Sequence, residues 1–262
     1  GRVVAPGPYS ETMAMAVPLL LSYGTAEQKR RYLPEIVSGK RMFTLAFLEP
    51  PAGQFAPGDI RMVAAKEGAT YRLDGIKTMV PHGDVAHTFI VLARTAPGSG
   101  EGGLTLFLVD REKASLTARV LQSIDQTRDL AEVRFENVQI PRENRLGPEH
   151  VGWPLLQEGL KYFNVALCAT MVGGIARTVE MSVEYANTRR QFGQPIGRFQ
   201  AVKHRIVDMK LDLESARSLT YYGAWALEND APDQEAAIYS ARALINEAYI
   251  RAAGHNVQNH GG

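Results

Sequence analysis

Tyr185-Ala186-Asn187-Thr188-Arg189-Arg190-Gln191-Phe192-Gly193-Gln194-Pro195-Ile196-Gly197-Arg198-Phe199-Gln200 is the stretch on which the fold reading turns, because it joins the end of one helix to the start of another. Upstream, Leu160, Phe163, Leu167, Met171, Ile175, Val179 and Val183 recur at steps of three or four, the period of a helix with one apolar face. Downstream, Phe199, Val202, Ile206, Met209, Leu213 and Ala216 do the same, with Lys203, Asp208, Lys210, Asp212 and Glu214 between them. A third helix is expected from near Pro232 to about Val257. Long helices with short connections imply an antiparallel bundle of the four-helix type. Within the connection, Gly193, Pro195 and Gly197 fix a tight backbone path. The arginines beside it can serve the negative pole of the helix end or grip a phosphate bidentately, and the residues alone leave both roles open.

Working backwards, the period changes. Between Phe43 and about Gly147 the signals are those of strands: Thr88 to Leu92, Leu104 to Val109 and Ala131 to Ile140, with a Gly-rich loop from Ala96 to Gly103. Asp74-Gly75 between Tyr71-Leu73 and Ile76-Met79 predicts a two-residue hairpin. Before them, an apolar segment from Tyr9 to Tyr23 and a second from Thr25 to Ile36 read as two helices. Thr25 and Gln28 form a capping box, and Gly39 is a stop. The expectation is an α+β chain in three parts: N-terminal helices over 1–41, a small antiparallel β-domain over 42–147 and a helical bundle over 148–262.

Bulk properties narrow the function. A chain of 262 residues, 45% hydrophobic and 22% charged, buries a substantial core, and a net charge of +1 supplies no basic face for nucleic acid. The apolar stretch Met13 to Leu21 contains Pro18 and falls short of the roughly 20 residues a bilayer requires, so no membrane partner is expected. Cys168, the one cysteine, sits in an apolar helical pattern and reads as a packed thiol. No secretory signal is recognisable, which makes a cytoplasmic setting the expectation. Gly1 in place of an initiator methionine suggests a chain truncated at its start.

The connecting stretch resembles the "YA-x-x-R-x-x-FG-x-x-I-x-x-FQ" segment of acyl-CoA dehydrogenases. Other segments resemble that family in the same order: Gly24 to Pro34 its "GT-x-EQK-x-x-YLP", Leu48 to Gly53 its "TEP-x-AG", Val138 to Pro141 its "V-x-VP", and Gln258 to Gly262 its "Q-x-x-GG". The resemblance covers nearly the whole chain. It implies FAD as cofactor, an acyl-CoA substrate from fatty-acid or steroid side-chain oxidation, and a tetramer of like or homologous subunits. It also implies that Arg189, Gln191, Phe192, Gln200, Gln258, Gly261 and Gly262 hold the diphosphate and adenine end of a flavin bound mainly by a neighbouring subunit. The implied reaction removes an α-proton to a carboxylate of raised pKa and a hydride to the flavin.

Departures from the pattern matter as much. The flavin side of the family carries a threonine, a "W-I-T" strand and a serine; here these positions read Leu48, Met79-Val80-Pro81 and Gln54. Hydroxyl donors have become apolar, and Pro81 lacks an N–H. No catalytic base is identified. Where some members carry one on the first long helix this chain has Phe163 and Asn164, Glu158 reads as solvated or capping, and the usual glutamate lies beyond Gly262. Three classes stay open: a complete FAD-dependent enzyme with its base beyond residue 262, the FAD-completing subunit of a heterotetramer in which a partner carries ring and base, and a non-enzymatic binding protein on the same fold.

Overall fold

The computed structural model describes residues 1–5, 7–51 and 55–261. They fall into two compact units, one of residues 6–163 and one of residues 1–5 with 164–262.

The first unit opens with α1 (Tyr9–Glu11), a π-helical turn (Thr12–Ala16) and α2 (Val17–Tyr23), whose first turn accommodates Pro18. In α3 (Ala26–Val37) the capping box is formed: the Thr25 hydroxyl accepts from the Gln28 N–H at 3.1 Å, and the Gln28 side chain accepts from the Thr25 N–H at 2.9 Å. The strands are β1 (Phe43–Ala46), β2 (Val63–Glu67), β3 (Thr70–Pro81), β4 (Thr88–Arg94), β5 (Leu104–Asp110), β6 (Leu116–Val120), β7 (Leu130–Pro141) and β8 (Arg145–Leu146). They form an eight-stranded sheet in the order β6-β7-β3-β2-β4-β5-β8, with β1 added alongside β4. The expected antiparallel character holds for most pairs, but β1 runs parallel to β4, and β2 touches β4 in parallel at Val63 and Arg94.

The hairpin expected at Asp74-Gly75 is not there. β3 passes straight through these residues, and the register against β7 shifts between Leu73 and Gly75. Gly75, at φ 147°, absorbs this bulge, which no side chain would tolerate as easily. The turn between β2 and β3 lies at Gly68-Ala69 instead.

Every residue of β4 and β5 is buried. Ile90, Leu92, Leu106 and Leu108 face Met15, Leu19, Leu20, Tyr32, Trp153 and Leu156 on one side. Phe89, Val91 and Phe107 face Tyr71, Leu73, Val133 and Phe135 on the other, so the sheet curls over a second core. Tyr71 and Phe107 meet at 5.0 Å between ring centroids although two strands separate them in the sheet.

Three long helices follow among the described residues: α4 (Gly152–Thr188), α5 (Gln200–Glu228) and α6 (Gln234–Asn259), with the two-stranded β9 (Arg190–Gln191) and β10 (Gln194–Pro195) between α4 and α5. In the second unit Cys168, Met171, Ile175 and Val179 pack against Met209, Leu213 and Ala216 of α5 and Ala241, Ile245, Ala248 and Ala252 of α6. Gly174 lets α6 come close: a Cβ there would sit 2.7 Å from the Tyr249 ring. Although no membrane partner is expected from the sequence, α4 is long and apolar enough to cross a bilayer by length and composition alone. Of its apolar stripe, Met171, Ile175 and Val179 pack into this helical core and Leu160 and Phe163 against the core of the first unit, while Val183 is exposed. Burial holds the Cys168 thiol above its ordinary pKa, as expected of a packing residue.

Candidate functional site

One end of the helical unit collects most of the residues that the connecting stretch singled out. The last turn of α4 closes with the Arg189 N–H on the Tyr185 carbonyl at 2.8 Å, and the chain then reverses through β9 and β10. Phe192 (φ 54°) and Gly193 (φ 76°) form the two-residue turn, both with the positive φ that such a hairpin demands. The Arg190 guanidinium donates to the Gly193 carbonyl at 3.2 Å and braces the turn. The Arg189 guanidinium is exposed and has no side-chain partner among the described residues. The two arginines, equivalent in the sequence, are therefore distinguished by geometry.

Phe192 is 91% exposed and touches Phe199 edge-on at 6.0 Å. Gln191 and Gln200 are exposed beside it, and no side-chain hydrogen bond caps the N-terminus of α5. The C-terminus of α6 lies at the same end: the His260 ring stacks on Tyr185 at 4.3 Å. Beneath this stack, Ser182 donates to the Asn256 side chain at 2.8 Å, and Asn259 donates to the Ser182 hydroxyl at 3.2 Å. Gln258 is exposed, and Gly261 adopts φ 110°. Gly262 lies outside the described residues. A free guanidinium, a helix N-terminus and a glycine turn on one surface are the elements from which a diphosphate site is made.

The flavin-side positions lie in the other unit and have a different character. The Leu48 carbonyl accepts from the Thr78 N–H at 2.9 Å, and the Pro81 carbonyl accepts from the Thr44 hydroxyl. Met79 is 42% exposed with φ 53°, and Val80 is buried. Ala52, Gly53 and Gln54 lie outside the described residues. At Leu48, Met79, Val80 and Pro81 no side chain offers a donor, and two of the backbone groups are already paired. The residues present thus offer a guanidinium and a helix N-terminus suited to the diphosphate of FAD at the helical end, and no side-chain donor for its ring at these four positions.

The expected gaps in acid-base chemistry have structural counterparts. Phe163 packs against the core of the first unit, and Glu158 pairs with Lys161 at 2.8 Å. Among the described residues no group of three His, Cys, Asp or Glu is arranged for a metal ion.

Sequence reasoning missed the buried pair behind the flavin-side strand. Lys77, fully buried, donates to Glu49 at 2.6 Å and to the Phe47 carbonyl at 3.2 Å. The same carboxylate accepts from the backbone of Arg61 at 2.9 Å and Met62 at 3.0 Å, so it clasps both ends of the loop beginning at Leu48. The available signal was a lysine at a core register of β3.

Burial pushes the Lys77 pKa down to about 8, with Glu49 opposing the shift. Unfolded lysine titrates at about 10.4, so between these values the unfolded chain binds more protons and stability rises with pH. Above about 10 Tyr32 works the other way, because burial and Asp110 raise its pKa to about 12 and the folded chain then binds more protons. Urea midpoints are expected to climb from about pH 8 to 9.5 in the parent protein and to stay flat across that window in Lys77→Met. Parallel curves for the two proteins would contradict the assignment.

Comparison with known proteins places this geometry. The description "Acyl-CoA dehydrogenase, middle domain" matches residues 44–138, and "Acyl-CoA dehydrogenase, C-terminal domain" matches residues 150–262. The L-prolyl-[peptidyl-carrier protein] dehydrogenase of Pseudomonas fluorescens is 37% identical over 225 residues, 84% of this chain and 58% of that protein. The chain thus spans little more than half the length of this relative. The structure of butyryl-CoA dehydrogenase from Megasphaera elsdenii superposes with a TM-score of 0.92 at 27% identity, covering 97% of this chain and 67% of that one. The structure of PigA with FAD and proline superposes with a TM-score of 0.90 at 31% identity and the same coverage. With two adjoining domains matched in order and the fold shared along almost its entire length, the chain belongs to the acyl-CoA dehydrogenase family.

Proposed function

We propose that the protein takes part in FAD-dependent α,β-dehydrogenation of an acyl-CoA or equivalent acyl thioester, and that this chain supplies the diphosphate end of the flavin site to a homologous subunit. The observation that carries the reading is the contrast between its two halves. The Arg189 guanidinium stands exposed and unpaired among the described residues beside the Phe192-Gly193 turn at the end of the helical unit, whereas the strand Met79-Val80-Pro81 offers the ring no side-chain donor.

The exposed apolar surface supports a partner. Leu211, Tyr221 and Trp225 on α5 and Ile250 and Val257 on α6 are each more than half exposed, as Phe192 is. Apolar side chains so arrayed suit an interface between subunits. A relative named for butyryl-CoA and a relative named for prolyl on a carrier protein share a thioester, and the thioester is the feature carried over here.

Bound FAD would supply the electron acceptor. This chain would hold its diphosphate through the bidentate guanidinium of Arg189 and the backbone at Gly261, with the carboxylate base coming from outside the described residues. The test is to purify the full-length protein alone and together with a co-expressed homologous subunit, then assay dehydrogenation of acyl thioesters with an artificial electron acceptor. Turnover is expected only in the two-chain complex; turnover by this chain alone, with one flavin per chain, would reject the division of labour.

A further inference from the structure

The end of the helical unit that carries Arg189 holds more positive charge than one diphosphate balances, since each bridging phosphate carries about one negative charge. From Tyr185 to Val207 the sequence contains Arg189, Arg190, Arg198, Lys203 and Arg205 and no Asp or Glu, and α6 adds no carboxylate after Glu247. The chain as a whole has a net charge of only +1, so positive charge is gathered here rather than spread. Glu184 and Asp208, which border the stretch, form no ion pair with it among the described residues.

The backbone brings these residues to one end of the unit. The Arg189 carbonyl accepts from the Ile196 N–H at 2.9 Å, and Arg190 lies opposite Pro195 in the pairing of β9 with β10. Gly197 presses on the last turns of α4: a Cβ there would meet the Ala186 carbonyl oxygen at 3.0 Å, so Arg198 is held beside the helix end. The Phe199 carbonyl accepts from the Lys203 N–H at 3.0 Å, and the Phe199 ring meets Phe192. Arg198 and Lys203 are both exposed and have no side-chain partner among the described residues.

Their placement works against the local structure. Arg198 precedes α5 and Lys203 stands in its first turn, at the positive pole of the helix, where a cation is unfavourable. Arg189 and Arg190 follow the C-terminus of α4 and gain from the opposite pole. Helix stability thus accounts for the first two arginines and not for Arg198 and Lys203. A negatively charged surface outside the chain would account for both.

We infer that Arg198 and Lys203 form a docking surface for an acidic face of the homologous subunit, set beside the point at which Arg189 reaches that subunit's flavin. This rests on the functional reading above and names the chemistry of its partner. Phe192, 91% exposed next to these charges, supplies an apolar centre, and aromatic and Arg side chains are the groups that protein interfaces favour. Charges at the rim of an interface act chiefly on the rate of encounter, and salt screens them.

The test follows association of the full-length protein with the homologous subunit by stopped-flow fluorescence, with FAD in excess, at about 50 mM and about 500 mM salt. The parent is expected to associate about tenfold faster at the lower salt. The double variant Arg198→Glu with Lys203→Glu should associate about tenfold or more slower than the parent at low salt and within about twofold of it at high salt, with dissociation changed by less than about twofold. Arg198→Gln with Lys203→Gln should fall between the two. Lys40→Glu with Lys113→Glu, an equal change of charge at exposed positions in the other unit, should slow association by less than about threefold. A parent rate indifferent to salt, a double variant as fast as the parent at an unchanged melting temperature, or equal slowing by the Lys40 and Lys113 changes overturns the docking surface and leaves the functional reading intact. So does a double variant whose assembled complex sheds flavin as Arg189→Gln does, because the side chains would then belong to the flavin site. If the parent and the homologous subunit never associate, the functional reading fails and the docking surface falls with it.

Discussion

Asp110→Ala is expected to lower the stability of the protein by about 2–4 kcal/mol. The Asp110 side chain is 4% exposed and is the common acceptor for groups from α3, from β4 and from the loop before β1. Oδ1 accepts from the Thr88 hydroxyl at 2.9 Å and from Arg41 at 3.2 Å, while Oδ2 accepts from Arg31. Both guanidiniums lie over the Tyr32 ring, Arg31 at 4.7 Å and Arg41 at 5.5 Å from its centroid. Removing the carboxylate leaves Arg41, whose side chain is only 16% exposed, without its inner partner, and strands the buried Thr88 hydroxyl. Arg41 keeps its ion pair with Glu35, so the cost lies in the inner bonds lost by Arg41 and by Thr88 at a buried position. Arg31→Ala should cost about 1 kcal/mol or less, since its side chain is 36% exposed and solvent screens the pair. Urea denaturation of the two variants checks the order. A loss below about 1 kcal/mol in Asp110→Ala would show that the network holds nothing together.

The second large effect concerns function. Arg189→Gln is expected to weaken retention of FAD by about a hundredfold or more, because charge-assisted bonds to phosphate contribute about 1.5–3 kcal/mol each and a guanidinium makes two in parallel. Arg189→Lys should fall between, keeping the charge but losing the fork. Arg190→Gln is the control: its guanidinium braces the Gly193 carbonyl, so its loss should loosen the turn and cost less than about tenfold. Flavin released on gel filtration, measured against protein, gives the ranking. An Arg190 effect equal to that of Arg189 would mean that the turn's rigidity, rather than the free guanidinium, is what matters.

Local signals in the sequence proved readable and distant ones did not. The stripe Met209, Leu213 and Ala216 and the capping box at Thr25 and Gln28 depend on residues a few positions apart, where helical geometry alone dictates who meets whom. The tight reversal around Phe192 and Gly193 was legible for the same reason. Asp74-Gly75 misled because a glycine with positive φ serves a bulge as readily as a turn, and only the pairing of β3 with β7 decides between them. The partly exposed strands β2 and β6 carry weak alternation and went unread. Lys77 with Glu49, Asp110 with Arg31, and Glu11 with Arg128 join segments that only the folded sheet brings together. At the candidate site, the sequence could name Arg189 and Arg190 as a pair; only the Gly193 carbonyl shows which guanidinium is engaged.

On the proposed division of labour, this chain grips the diphosphate of a flavin whose ring sits on another subunit. Flavin content decides it in a complex where only this chain carries Arg189→Gln and the homologous subunit is left unchanged. Such complexes are expected to assemble normally yet lose their flavin. Full flavin content in that mixed complex would contradict the proposal, for the diphosphate would then be held without this chain.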